Sequence, residues 1–403
     1  MTPPSIWQRN LLVCTICAFI CVMGLTLVLP FLPLYVEHLG VHTQAGVVRW
    51  SGVAFGATFI TAGVMAPVWG RFADRYGKKS MLLRASLGMA VVTAAMATAH
   101  NVYQLTAMRL LMGMVAGYVP AAAVLLAHQV PKERCGWVMG VLSSGALAGN
   151  LLGPLLGGFL ADHIGVRGTF LITGGFLLAA GLLTLLWVRE TPHAPASQQG
   201  PLPPVWASIA NRRLVITVLC TAMTLQFALM SIEPIVTVFV GQLAPHARDP
   251  SLLAGLVVSA PALSSMLLAP GVGRLADRLG HLRVATFNLL GTAVVLMIQP
   301  LLPHYWAFVA SRLVMGMTLA GLLPALSALI RCHVPEQVAG RVYGYMQTSQ
   351  CVGQIAGPML GGVVAAQLGF PALFLMTSTV LLVNGALAMS LVWNRSAVAS
   401  SSA

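Results

Sequence analysis

From Leu214 to Ala247 the chain carries one formally charged residue, Glu233, inside a run that is otherwise apolar or neutral. A helix of about 20 such residues crosses the roughly 30 Å hydrocarbon core of a bilayer. Runs of this kind recur from end to end. Lipid offers no partners for backbone N–H and C=O groups, so each run must close its own hydrogen bonds as a helix. The pattern predicts helices over 11–36, 47–70, 80–99, 103–128, 137–161, 169–188, 214–240, 252–272, 284–302, 305–330, 342–366 and 370–393. The expected fold class is therefore an all-α integral membrane protein with twelve transmembrane helices. Composition agrees: 58% of residues are hydrophobic and 8% charged, where a soluble protein carries about 25% charged residues. The first run is too long for the apolar region of a signal peptide and no A-x-A site follows it, so it is expected to remain as a span.

A net charge of +13 invites a nucleic-acid reading, but the placement of the charge points elsewhere. Alternate loops and flanks collect Arg9, Arg71, Arg75, Lys78, Lys79, Arg84, Lys132, Arg134, Arg189, Arg212, Arg213, Arg274, Arg278, Arg283, Arg331, Arg341 and Arg395, against Arg49, Arg167 and Arg248 on the other side. This is the positive-inside asymmetry, and it predicts both termini and the central loop in the cytoplasm. A bacterial inner membrane is the expected location and no nucleic-acid partner is needed. Of the seven cysteines, Cys14, Cys17 and Cys21 share a helix face, which suits close helix contact; no spacing fits a disulfide framework or a metal site.

The chain repeats itself. GRFADRYG at Gly70–Gly77 returns as GRLADRLG at Gly273–Gly280, and RLLMGM at Arg109–Met114 returns as RLVMGM at Arg312–Met317. GNLLGPLLGG at Gly149–Gly158 returns as GQIAGPMLGG at Gly353–Gly362. The displacement is 203 or 204 residues each time, the mark of two copies of one six-helix unit in the same topology. The expected organisation is a bundle over 1–188, a linker over 189–212 rich in proline, a second bundle over 213–394 and a tail over 395–403.

At these residues the sequence resembles the major facilitator superfamily. The Gly70–Lys79 loop, the Arg109–Gly113 stretch and the glycine-rich Gly149–Gly158 helix look like its signature motifs, and the last resembles that of the twelve-span drug:proton antiporters. The resemblance implies two pseudo-symmetric six-helix bundles that open alternately to either side. It implies export of small lipophilic or amphiphilic compounds, a proton gradient as energy source, no cofactor, and a monomer in the bilayer. It also implies that the span-four arginine, Arg109, takes part in proton movement; snorkelling towards the headgroups is the other reading of Arg109 and of its counterpart Arg312.

In the first repeated turn, Gly70 is expected to let helices approach, and Asp74 to meet helix N-termini or arginines, making a latch of Gly70, Asp74, Arg75, Gly77 and Lys78 that forms in one conformation and breaks in the other. Asp277 and Arg278 are the matching pair of the second copy, where His281 and Leu282 replace Lys78 and Lys79. The alternative is a short basic turn that sets topology. Gly149, Gly153, Gly157 and Gly158 make a small-residue face around Pro154 for close packing.

The repeat supplies a control for Glu233. Pro234 aligns with Pro30, but Glu233 aligns with Leu29. The bend belongs to the fold, whereas the acid belongs to one half. An ionised carboxylate in hydrocarbon is costly, so an intramembrane acid reads as a functional group by default. Glu233 is the first candidate for the proton site; a structural pairing with an arginine is the alternative. Phe31, Tyr35, Met112, Tyr118, Asn150, Gln226, Phe227 and Met230 are candidate lining for a cavity that takes varied lipophilic molecules, though such residues are common in any membrane helix. A metabolite, sugar or lipid-like solute transporter of the same fold is the competing function. An intramembrane enzyme would need a nucleophile with its base or an H-E-x-x-H spacing, and a nucleotide-driven pump a G-x-x-x-x-G-K-[ST] loop; the sequence has neither.

Overall fold

The computed structural model describes residues 6–131, 134–190, 206–209, 211–245 and 247–401; the side chains of Asp74, Pro270, Glu336, Gln337 and residues 391–401 are outside that description. Most of the expected linker and the tail therefore lie outside the described residues. Those that are described form helices and connecting turns, with no strand among them.

In chain order the helices are α1 (Ile6–Thr26), α2 (Leu32–His38), α3 (Gln44–Tyr76), α4 (Lys78–Met96), α5 (Val102–Val115), α6 (Tyr118–Gln129), α7 (Cys135–Ile164) and α8 (Val166–Trp187). The second repeat gives α9 (Arg212–Ile232), α10 (Val236–Leu243), α11 (Pro250–Leu279), α12 (His281–Ile298), α13 (Tyr305–Leu319), α14 (Leu322–His333) and α15 (Glu336–Ser401). Among the described residues eleven segments are long and apolar enough to cross a membrane, and the last covers Val338–Ser390. At 1.5 Å per residue that segment would run about 80 Å as one helix. It bends at Gly369, where φ is 82°, so it supplies two crossings and the total is twelve. Gly165, with φ of 81°, divides α7 from α8 at the matching place in the first repeat.

Two sequence expectations need correction. The first and fourth spans of each repeat are broken rather than continuous. α1 stops before a turn that holds Pro30, and α9 stops before a 3₁₀ turn, Glu233–Ile235, that holds Pro234. Proline has no N–H to continue the ladder, and the same break in both copies shows that it belongs to the fold. α5 and α6 part at Gly117 (φ 118°), and α13 and α14 at Gly321 (φ 72°), a backbone geometry that glycine adopts without steric cost. The second correction concerns the repeated GRFADRYG turn, expected as a loop. α3 continues as helix to Tyr76, the chain turns on Gly77 alone, and α4 starts at Lys78. Nothing in RFADRY breaks a helix, so the ladder runs on to the first residue that does.

The chain packs as two compact units, one of 1–195 with 234–259, the other of 196–233 with 260–403. Packing thus assigns 234–259 to the same unit as the first repeat, and the division passes between Glu233 and Pro234. In the first unit the glycines of α7 lie against α1. A Cβ at Gly149 would stand 2.6 Å from the Phe19 carbonyl, and one at Gly157 would collide with the Leu27 carbonyl. Further along α7, a Cβ at Gly158 would meet the Ser251 carbonyl of α11. The Asp162 carboxylate accepts hydrogen bonds from the backbone N–H of Ser251 at 3.3 Å and Leu252 at 2.8 Å, capping α11. Ser259 Oγ donates to the Leu151 carbonyl at 2.7 Å, and Thr237 Oγ1 to the Pro30 carbonyl at 2.7 Å.

The second unit repeats the glycine seam. A Cβ at Gly357 of α15 would stand 2.7 Å from the Phe227 carbonyl of α9. An apolar core of Val215, Val218, Ala222, Leu326, Leu329, Ile330, Val338 and Val342 closes it, and buried Ile209, just ahead of α9, joins this core. Trp206 stacks on Tyr345 with ring centroids 5.9 Å apart.

Candidate functional site

Two helix breaks of the second unit bracket its buried charges. Glu233 opens the 3₁₀ turn between α9 and α10 and is half-buried. Arg312, in α13, is 1% exposed. The guanidinium is near enough for its charge to act on the Glu233 carboxyl, yet among the described residues the two form no ion pair within 4 Å. Arg312 Nη1 donates to Met315 Sδ at 3.6 Å, and the guanidinium lies 5.8 Å from the Phe308 ring centroid. Its Nε and Nη2 are buried without a hydrogen-bond partner among the described residues. Elsewhere in the second unit neutral polar groups join α9 to α15: Asn384 Nδ2 donates to Thr224 Oγ1 at 2.6 Å and Thr221 Oγ1 at 3.2 Å, and Ser231 Oγ lies 3.2 Å from Thr377 Oγ1.

Arg109 is the counterpart in the first unit, in α5. It is 2% exposed, its Nε and Nη2 also lack hydrogen-bond partners among the described residues, and it lies 5.7 Å from the centroid of Phe55. Leu29 occupies the place that Glu233 has in the second copy. The arginine whose charge reaches the acid is Arg312, a relation that sequence order hid. The signal was available in the repeat: one inserted acid and one matching arginine fall in the same copy. Neither arginine snorkels, since both are closed off from solvent.

The other sequence candidates divide by surroundings. Phe31, Tyr35, Met112 and Tyr118, expected to line a cavity, are buried in the first unit and are 0–2% exposed. Phe31 meets Phe170 edge-on at 5.4 Å, Tyr35 donates to the Met96 carbonyl at 2.7 Å, and Tyr118 Oη lies 2.8 Å from Thr184 Oγ1. Aromatic rings with a hydroxyl that finds a buried acceptor pack well, and helix contacts claim them first. Phe227 is buried as well, Gln226 and Met230 are half-buried, and Asn150 is exposed. Cys14, Cys17 and Cys21 are free and buried, and Cys17 Sγ donates to the Ala180 carbonyl at 3.4 Å.

At the repeated turn, a Cβ on Gly70 or Gly273 would meet nothing within 4 Å among the described residues. The Asp74 side chain is outside the described residues. Arg75 lies over the Tyr76 ring at 5.4 Å. Asp277 sits 3.5 Å from His281 one turn on, and Arg278 is exposed. A residue that sequence reasoning missed holds this turn: Glu190, beyond α8, accepts from Lys78 N at 2.8 Å and Lys79 N at 2.9 Å and so caps α4. No spacing rule links residues 112 positions apart, so local sequence gave no sign of it.

A family model described as Major Facilitator Superfamily matches residues 14–244 and 235–403. The multidrug resistance protein MdtG of Proteus mirabilis (strain HI4320) is 39% identical over 380 residues, 94% of each chain. The protein of the same name from Dickeya zeae (strain Ech586) is 39% identical over 385 residues, 95% of this chain and 94% of the other. Among solved structures, a bacterial homologue of the human lysosomal transporter Spinster, inward-facing and unoccupied, superposes with a TM-score of 0.78 at 14% identity, over 96% of this chain and 97% of that one. The human organic anion transporter MFSD10 gives 0.71 at 20% identity, over 96% and 100%. The broken spans, the duplicated six-helix pattern and a relationship that runs through nearly the whole sequence lead to one assignment: this chain belongs to the major facilitator superfamily of membrane transporters.

Proposed function

We propose that the chain is a proton-coupled multidrug exporter that moves small lipophilic or amphiphilic compounds out of the cell, with Glu233 as its proton carrier. The observation that carries this reading is a lone acid at a helix break inside a span, within the field of a buried arginine. Discontinuous helices are where transporters of this architecture hold substrate and coupling ions. The relatives named for multidrug resistance support the substrate class.

A carboxyl that is neutral when protonated and charged when not changes the balance with Arg312 at each exchange. If the two protonation states favour different conformations, proton entry from one side and substrate entry from the other become mutually exclusive steps, and the gradient drives export. Arg312 takes the counter-charge part at Glu233, and Arg109 serves proton movement in the first unit. The repeated turns at Gly77 and Gly280 act as latches between states, and the Gly149–Gly158 helix acts as a tight seam during rocking. The working form is a monomer in the bacterial inner membrane with both termini in the cytoplasm, and the excess of basic residues in alternate loops supports that orientation.

The test is efflux of a panel of lipophilic dyes and antibiotics from cells lacking other pumps, driven by a pH gradient. Glu233→Gln, expressed at the parental level, is expected to lose gradient-dependent efflux at least about tenfold, the scale set by losing 1.4 kcal/mol or more of coupling. Parental efflux in that variant overturns the assignment.

A further inference from the structure

Gln299 follows the last residue of α12 and is 0% exposed. Its Nε2 donates to Met315 Sδ at 3.8 Å, the same sulfur that receives Arg312 Nη1 at 3.6 Å. A thioether is a weak acceptor, and two strong donors share it. Meanwhile Gln299 Oε1, Arg312 Nε and Arg312 Nη2 are buried with no hydrogen-bond partner among the described residues. Each such group has lost its water and gained no hydrogen bond in exchange. Free donors and a free acceptor around one sulfur make an arrangement that a side-chain rotation can exchange for a better one.

The repeat shows that this arrangement is not demanded by the fold. At the 203-residue offset Met96 stands for Gln299, Arg109 for Arg312 and Met112 for Met315, and at the 204-residue offset of the Pro30 and Pro234 turns Leu29 stands for Glu233. In the first copy the Met112 sulfur receives Thr93 Oγ1 at 3.9 Å. Both copies have the buried arginine and its methionine. The second copy alone adds an amide and a carboxyl, one reaching the arginine's methionine and the other within the arginine's field.

We propose that Gln299 is a positioning residue for proton exchange at Glu233. Its amide oxygen accepts from the Arg312 guanidinium while the Glu233 carboxyl carries a proton, and releases the guanidinium to the carboxylate when the proton leaves. No bond other than the O–H of Glu233 is made or broken. The inference rests on the reading of Glu233 as the proton carrier. Among the described residues Arg312 is the charged group that acts on Glu233. Without the amide, the guanidinium stays with the carboxyl in both states, and a nearby cation favours the ionised form. The carboxyl then gives up its proton at lower pH.

Infrared titration of the purified, lipid-reconstituted full chain reads this without any substrate, through the carbonyl band of a protonated carboxyl. The band that Glu233→Gln removes belongs to Glu233; if that variant removes none, the proton-carrier reading fails. In Gln299→Met, which copies the first repeat, the midpoint of that band is expected to fall by roughly one pH unit, with thermal stability kept. An unchanged midpoint, with the Glu233 band still identified, overturns the Gln299 proposal alone. So does a Gln299→Met protein that fails to fold, because Gln299 would then serve structure.

Discussion

Glu233 and Arg312 interact through a medium that screens charge far less than water does, so a change at either is felt at the other. Thermal denaturation of Arg312→Ala, Glu233→Gln and the double variant should give losses that do not add, with a coupling on the order of 1 kcal/mol. Additive losses would show that the two charges act apart. Arg109 provides the contrast. It has no carboxylate at the aligned position and two unpartnered nitrogens, so Arg109→Met removes a buried cation without stranding an acid. That variant should keep or raise the melting temperature while Arg312→Met lowers it. At this scale the acid was legible, because one carboxylate in an apolar run is conspicuous. Its arginine was legible only through the repeat, and Gln299 was not legible at all, since a neutral amide at the end of a span stands out only once its partners are known.

The helices are held by seams whose tolerance differs from residue to residue. A side chain at Gly157 collides with the Leu27 carbonyl, whereas one at Gly175 in α8 meets nothing within 4 Å. Gly157→Val should therefore destabilise the purified protein by about 1–3 kcal/mol, and Gly175→Ala should leave the thermal transition where it is. The Asp162 cap on α11 is a second test. Removing two hydrogen bonds at a helix N-terminus with Asp162→Ala should cost about 1 kcal/mol, read as a drop in melting temperature. Helix existence was readable from apolar runs, and the prolines at 30 and 234 marked where two spans bend. That those bends are full breaks was not readable, because apolar residues on both sides hide the interruption. The extension of α3 through Tyr76 was missed for the opposite reason: charged residues read as loop, yet outside the bilayer a charged helix is as satisfied as a charged turn.

Over the whole molecule, the duplication in sequence and the division in space do not coincide. Residues 234–259 come from the second repeat but pack with 1–195, through the Asp162 cap and the Gly158 and Thr237 contacts. A chain divided after Pro195 should for this reason still assemble: the pieces 1–195 and 196–403, expressed together, are expected to co-purify, whereas 1–195 alone should aggregate for want of α10 and the start of α11. Recovery of a stable 1–195 piece by itself would count against that dependence. The sequence by itself determined that this chain lives in a bilayer, that it crosses in helices and that it is built twice, because lipid leaves the backbone one solution and a repeat is visible without folding. Only the tertiary structure decided that Gln299 and Arg312 share the Met315 sulfur, that Tyr35 and Tyr118 find buried partners on other helices, and that Glu190 and Asp162 cap helices far along the chain. Those facts depend on which atoms meet across helices, and packing between distant segments leaves no periodic trace in the order of residues.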